Sequence, residues 1–425
     1  MSQSFLLQQV RVIDPVTARD FVADVSIEGN RISQIAERLP EDSVEKVIQS
    51  DRFILGAGLV DLYSHSSEPG FESRETMLDL ALSAGAGGFI KVGVLPDTVP
   101  AIDSEETLSA LQAKYASLQK STGLPDLDFW SGLSVLDTSS MSELEQLGQK
   151  ALGFSQKIDF TQLAFFKQAL EYLQPTRKPI AIDLSQNQLC KEGIIREGKN
   201  SIRYGVVGNP GFSESAAIAA VLEIVASLRT PVHLMRVSTY RGVELIAEAK
   251  QRGVPITAST TWMHLLWDTS YLSSYDPNLR LEPPLGNPDD RASLQKAIKT
   301  GTIDAIAIDH RAYTYEEKTV PFAEAPSGAM GLQIALPLMW QQLVVSGILS
   351  PMELWQALSS RPLNCLHKQP IGIAPGTSIQ QLTLFDPQVS WQVNQQTICS
   401  PAANTIWWGK EIIGSAVSWE KISKL

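Results

Sequence analysis

Hydrophobic and polar positions change rhythm twice along the chain. Up to residue 57 they read as short strands. Residues 5–12 are apolar-rich, and 21–27 and 31–35 alternate on either side of Gly29-Asn30, a hairpin turn signal. From Gly58 on, continuous apolar runs take turns with stretches in which apolar residues recur every three to four positions. The runs at 59–63, 89–95, 126–130, 152–155, 179–184, 231–237, 255–259 and 304–309 predict buried parallel strands. Helices are predicted over 73–84, 104–118, 142–150, 161–173, 213–228, 242–252, 289–300, 328–345 and 351–360. From about Leu366 the strand rhythm returns, over 377–387 and over 404–417, where Trp407-Trp408 precede Gly409.

Eight strand–helix steps are the count of a closed (β/α)8 barrel, preferred here to the open doubly wound sheet that the same alternation can build. The expected fold class is α/β, with a TIM barrel over 58–365 between β segments 1–57 and 366–425.

Composition fits that picture. The 425 residues suffice for one large and one small domain, and 44% hydrophobic with 19% charged content is ordinary for a soluble protein. No apolar run reaches the roughly 18 residues of a membrane span. The N-terminus, Met1-Ser-Gln-Ser-Phe5, lacks the basic region and apolar core of a secretory signal. A formal charge of −11 argues against nucleic acid and anionic membrane as partners, and is read as solubility. Cys190, Cys365 and Cys399 have no paired spacing, which excludes a cysteine-based zinc site and suits a reducing cytoplasm.

The candidate chemistry starts at Leu59-Val-Asp-Leu-Tyr-Ser-His-Ser-Ser-Glu-Pro-Gly70, where an apolar run ends in acid, aromatic, histidine and turn residues. Polar groups at the C-terminal tip of a buried strand are where parallel α/β proteins do their chemistry. This stretch resembles the signature strand of the dihydroorotases, in the cyclic amidohydrolase superfamily, whose pattern is Asp-x-His-x-His-x-Arg-Glu-Pro-Gly. Asp61, His65, Glu68, Pro69 and Gly70 match it. Leu95-Pro-Asp-Thr98, Leu152-Gly-Phe-Ser155, Val232-His-Leu-Met-Arg-Val-Ser-Thr239, Glu282-Pro-Pro-Leu285 and the Asp309-His310 pair are similar to further motifs of that family, so the resemblance spans nearly the whole chain. It implies that 1–57 and 366–425 join in a small β-sandwich beside a barrel of the metal-dependent hydrolase type.

The resemblance also implies where a catalytic site would lie, and there the residues depart. The family's metal-ligand positions fall on Tyr63, His65, Gln156, Asp183, Arg236 and Asp309, the last being also the general-base position. Only His65 and Asp309 keep the family's residue. A phenol is a poor zinc ligand, a carboxamide carries no charge, and a guanidinium stays protonated and cannot ligate a metal. A cation and a dication roughly 4 Å apart repel by several kcal/mol at an effective dielectric near 20, so Arg236 is expected to replace the metal and pair with Asp183, Asp309 or both. The family's substrate-pocket positions fall on Ser67, Asp97, Glu282 and Tyr313, all changed in type.

Taken together, the resemblance and these departures imply a dihydroorotase-like protein linked to de novo pyrimidine biosynthesis, without hydrolytic activity or bound metal. The resemblance further implies a structural partner of aspartate carbamoyltransferase in a homo- or hetero-oligomer. The alternative is an active cyclic amidohydrolase that opens dihydroorotate with a single zinc held by Asp61, His65, Asp183 and Asp309. A third reading is a binding module for an unrelated small ligand in the barrel mouth. Of the other histidines, His233 is expected to be a satisfied core residue. His264 is expected in a half-buried loop, His310 at a strand end and His367 in the link between the domains.

Overall fold

Pairing of the chain's two ends frames the molecule. The computed structural model describes all residues except 1–3, 42–43, 120–123, 136–139, 185–186, 191 and 425. Strands β1 (Ser4–Asp14), β2 (Arg19–Glu28), β3 (Arg31–Ala36), β4 (Lys46–Gln49) and β5 (Ile54–Ala57) come first. They join the last two strands, Leu382–Gln392 and Glu411–Val417, in one seven-stranded mixed sheet. Strand β1 shifts register between Leu7 and Val10; its first part lies parallel to β4 and its second part parallel to β5. Trp407 and Trp408 precede the last strand in a turn, where Trp407 leans on Trp267 with ring centres 6.4 Å apart.

The barrel is built from β6 (Leu59–Ser64), β7 (Phe89–Val94), β8 (Asp126–Phe129) with its continuation β9 (Ser131–Gly132), β10 (Phe154–Ile158) and β11 (Ile180–Leu184). The short strands β12 (Ile195–Arg196) and β13 (Gly208–Asn209) pair with each other outside the ring. The ring resumes with β14 (Val232–Met235), β15 (Ile256–Thr261) and β16 (Ala305–Ala307). Its neighbours are parallel throughout. It closes between its last and first strands, where Asp309 N–H donates to Tyr63 O at 3.1 Å and His65 N–H to His310 O at 2.8 Å. The C-terminal strands of the mixed sheet are then β17 and β18, and β17 runs antiparallel to both β5 and β18.

Local signals set the helix ends. Thr76 and Asp79 form a capping box at the start of Met77–Ala86, and Ser350 and Glu353 form another ahead of Pro351–Leu358. Thr76→Ala should therefore cost about 1 kcal/mol, read from chemical denaturation. The helix expected from 328 begins only at Ala335, and its last turn, Trp340–Val345, is a π-helix. The reason lies upstream. Gly328 sits at φ +126°, and Ala329 bridges His310, so that backbone serves the barrel's closing edge instead. Helix Gly211–Leu228 has the length and apolar content of a membrane span. Here it packs on helix Tyr240–Gln251, with Ile218, Val221, Leu222 and Val225 buried.

The barrel interior is filled by Val60, Leu62, Tyr63, Leu95, Trp130, Leu152, Ala181, Met235, Ala305 and Ala307. Trp130 is the largest of these. Its indole N–H donates to Leu62 O at 2.9 Å. Gly93 on β7 and Gly153 just before β10 make room for it: a Cβ on Gly93 would lie 2.7 Å from its Nε1, and one on Gly153 2.8 Å from its ring.

Candidate functional site

Two barrel strands stop early, at the residues that matter most. The expected strands 231–237 and 304–309 end at Met235 and Ala307, because Arg236 and Asp309 turn to φ +53° and +52°. Left-handed backbone at a non-glycine residue is unfavourable and persists only where the surroundings fix it. Here the two side chains fix each other. Arg236 Nε donates to Asp309 Oδ2 at 2.8 Å and Nη2 to Oδ1 at 2.5 Å, a two-pronged pair. Nη1 donates to Asp183 Oδ2 at 2.7 Å. Nη2 also lies 3.2 Å from His65 Nε2. His65 Nδ1 faces both oxygens of Asp97, at 2.7 and 2.9 Å. With Nε2 as the acceptor, Nδ1 carries the proton toward Asp97.

The electrostatics follow from this clasp. Burial opposes ionisation of Asp309, but the Arg236 charge and hydrogen bonds, aided by His65, hold its carboxyl far below the usual range. Desolvation opposes Asp97 in the same way, and His65, then Arg311 and Arg236, outweigh it. Burial likewise disfavours the Arg236 cation, and Asp309 and Asp183 raise its pKa well above normal.

Tyr63 lies beneath, fully buried. Its hydroxyl accepts the Arg236 N–H at 3.0 Å and meets Ser259 Oγ at 2.8 Å. Ser259 Oγ in turn meets His233 Nε2 at 2.8 Å, and His233 Nδ1 meets Thr257 Oγ1 at 2.8 Å. Burial, then the Asp309 charge, push the phenol above its ordinary range, so it stays protonated. Burial, with a smaller push from Lys250, lowers His233 to about 3, a neutral core histidine.

The barrel mouth holds a cavity of about 220 Å³. Of the residues singled out in the sequence, His65, Asp97, Gln156, Asp183, Arg236, Glu282 and Asp309 line it. Ser67 and Tyr313 do not. Ser67 is buried, and its carbonyl caps Phe71 N–H at 2.7 Å. Tyr313 is buried with its hydroxyl on Ser327 O at 3.0 Å. Its ring is faced by the Arg74 and Arg311 guanidinium groups at 5.0 and 5.7 Å and by the Lys318 amine at 5.1 Å, whose pKa burial lowers to about 7. An aromatic ring beside guanidinium groups is held by packing and cation–π attraction, here outside the cavity lining.

Asp61 also leaves the site. Its carboxylate accepts Ile308 N–H at 2.7 Å and Ser64 Oγ–H at 2.5 Å. Burial lifts its pKa to about 7 against those hydrogen bonds. The four-ligand set for a single zinc therefore loses a member, and two of the remaining three, Asp183 and Asp309, spend oxygens on a guanidinium. A metal ion does not fit this donor set. Among the described residues no group of three or more His, Cys, Asp or Glu is arranged to hold one.

Some lining residues escaped the sequence. His264, expected in a half-buried loop, is fully buried in the short helix Trp262–Leu266 and lines the cavity. Its Nδ1 meets Thr261 Oγ1 at 2.7 Å and its Nε2 lies 3.1 Å from Pro283 O. Burial lowers its pKa to about 4, so it is neutral. Lys157 reaches Glu282 at 2.6 Å. Arg311 stands at the rim; it directly follows the Asp309-His310 pair, and that adjacency is a signal the sequence carries. His310 itself points away from the mouth, to Glu75 at 3.0 Å, with both side chains fully buried.

A family model described as "Dihydro-orotase-like" matches residues 52–222. A "Probable dihydroorotase-like protein" of Synechocystis sp. is 38% identical, over 97% of this chain and 98% of its own length. The dihydroorotase of Pelobacter propionicus is 30% identical, over 98% and 97%. Among solved structures, the L-hydantoinase (dihydropyrimidinase) of Arthrobacter aurescens superposes with a TM-score of 0.81 at 19% identity, covering 98% of this chain and 94% of that one. The dihydropyrimidinase of Brevibacillus agri gives 0.77 at 17% identity, covering 98% and 94%. These likenesses extend the TIM-barrel amidohydrolase fold over the chain.

Proposed function

Starting from the fact that this chain belongs to the dihydroorotase-like family, we propose that it is a non-catalytic member of it, serving pyrimidine biosynthesis as a structural partner of aspartate carbamoyltransferase. The observation that carries the first half is the Arg236 clasp. Opening a cyclic amide needs an activated water and a base whose pKa lies near the working pH. Asp309, at the general-base position, is pressed far below that range, and both its oxygens are taken by Arg236. The guanidinium stands among the donors that a hydrolytic metal would need. The second half is supported by the family resemblance alone, since inactive members assemble with that transferase; such a role belongs in the cytoplasm.

Elemental analysis of the purified protein should find far less than one metal per chain. Dihydroorotate should not be hydrolysed above the uncatalysed rate, with or without added zinc. Two bound zinc ions, or turnover, would overturn the non-catalytic reading. For the partner, the protein should co-elute with aspartate carbamoyltransferase of the same source in size-exclusion chromatography. Separate elution at micromolar concentrations of both counts against the assembly.

A further inference from the structure

Arg311 stands at the rim of the mouth with its guanidinium largely unspent. Of the other charges there, Arg236 is matched by Asp183 and Asp309 and Lys157 by Glu282, while Asp97 accepts the His65 Nδ1–H. Arg311 has one long contact, Nη2 to Asp97 Oδ2 at 3.5 Å, beyond the usual range of a charge-assisted hydrogen bond. Its Nε and Nη1 have no hydrogen-bond acceptor among the described residues.

The side chain is nevertheless held in place. Its backbone N–H donates to Ala329 O at 3.0 Å and its carbonyl accepts Asn404 Nδ2–H at 2.8 Å. Its stem lies against Gly328, where a Cβ would come within 2.9 Å of Arg311 Cβ and Cδ, and where φ +126° suits only glycine. The guanidinium carbon sits 5.7 Å from the Tyr313 ring centre. A cation aimed mainly by packing and only weakly by a counter-ion is preorganised for a ligand. Across the mouth, Gln156 on β10 turns its Oε1 to the Leu133 and Ser134 amides, at 3.2 and 3.4 Å. That fixes the carboxamide orientation and leaves Nε2 as a donor with no acceptor among the described residues.

We infer that the mouth seats a small organic anion, with a carboxylate on Arg311 and a carbonyl oxygen toward Gln156, and that it retains this ligand without converting it. The volume of about 220 Å³ sets the size. It lies below the roughly 300 Å³ at which drug-sized ligands begin, so the guest is a small metabolite. Only the absence of conversion rests on the non-catalytic reading.

Calorimetric titration of the full-length protein with L-dihydroorotate, with succinate and with the dication putrescine tests this, followed by chromatography of the cell contents. At least one carboxylate should bind and putrescine should not. Arg311→Met should weaken carboxylate binding by about ten- to a hundredfold, the worth of a charged hydrogen bond. Arg311→Lys should weaken it less. Melting curves of both variants establish that they are folded, and the lysine variant carries the test if the methionine variant melts early. Binding of neither carboxylate, equal binding by folded native and Arg311 variants, or a preference for putrescine overturns the anion seat. Conversion of dihydroorotate in the cell would instead sink the non-catalytic reading and leave the seat standing.

Discussion

Arg236→Met is expected to destabilise the protein by about 3–5 kcal/mol in chemical denaturation at neutral pH, because it strands two carboxylates in the barrel mouth. Methionine matches the stem of arginine, so the loss would measure charge more than volume. The pH dependence gives a second reading. Asp309 is held below its ordinary pKa in the folded state. Its contribution is thus present above the unfolded carboxylate range, near pH 4, and is lost as pH falls below it. The gap between the native protein and Arg236→Met should accordingly be widest at neutral pH and shrink in acid. Adding Asp183→Leu and Asp309→Leu to the methionine variant should recover much of the loss, since a fully apolar replacement leaves no unpaired charge. A melting profile unchanged by Arg236→Met would show that the clasp carries no stability.

Trp130→Ala should cost about 3–5 kcal/mol, the usual range for emptying a large aromatic site in a core. The site has little means of collapsing. The walls beside the indole are Gly93 and Gly153, whose lack of side chains is what admitted it, and strand backbone cannot move inward to fill the gap. Leu62 O would also lose its indole donor. Trp130→Phe should recover part of the volume but not that hydrogen bond, so its loss should be intermediate. Equal losses for the two variants would mean that the hydrogen bond, and not the volume, dominates.

The barrel was legible because its strands are buried on both faces, which writes them as unbroken apolar runs. The pairing of Arg236 with Asp183 and Asp309 was legible for a different reason: a fixed cation and two acids at the tips of barrel strands have few other ways to be satisfied. Where periodicity speaks only of burial, it misled. It carried helix 328–345 through Gly328 and Gly331, and it extended two strands through Arg236 and Asp309. In each case backbone conformation, not hydropathy, ended the element. Tyr313 and Ser67 were placed in the pocket by position in a motif, yet position fixes the backbone and not the direction of a side chain. Basic side chains around the Tyr313 ring decided that direction: Arg311 and Lys318 come from the same stretch, but Arg74 comes from a part of the chain far away in sequence.

The antiparallel ladder between β5 and β17 also orders events during synthesis. The first 57 residues leave the ribosome long before their neighbour, which starts at Leu382, has been translated. Until then β5 presents a bare edge, the kind of template on which nascent chains join one another. Chains cut short between the barrel and Leu382 should therefore collect in inclusion bodies even though every barrel strand is present. A fusion partner at the N-terminus would have to remain soluble through that wait.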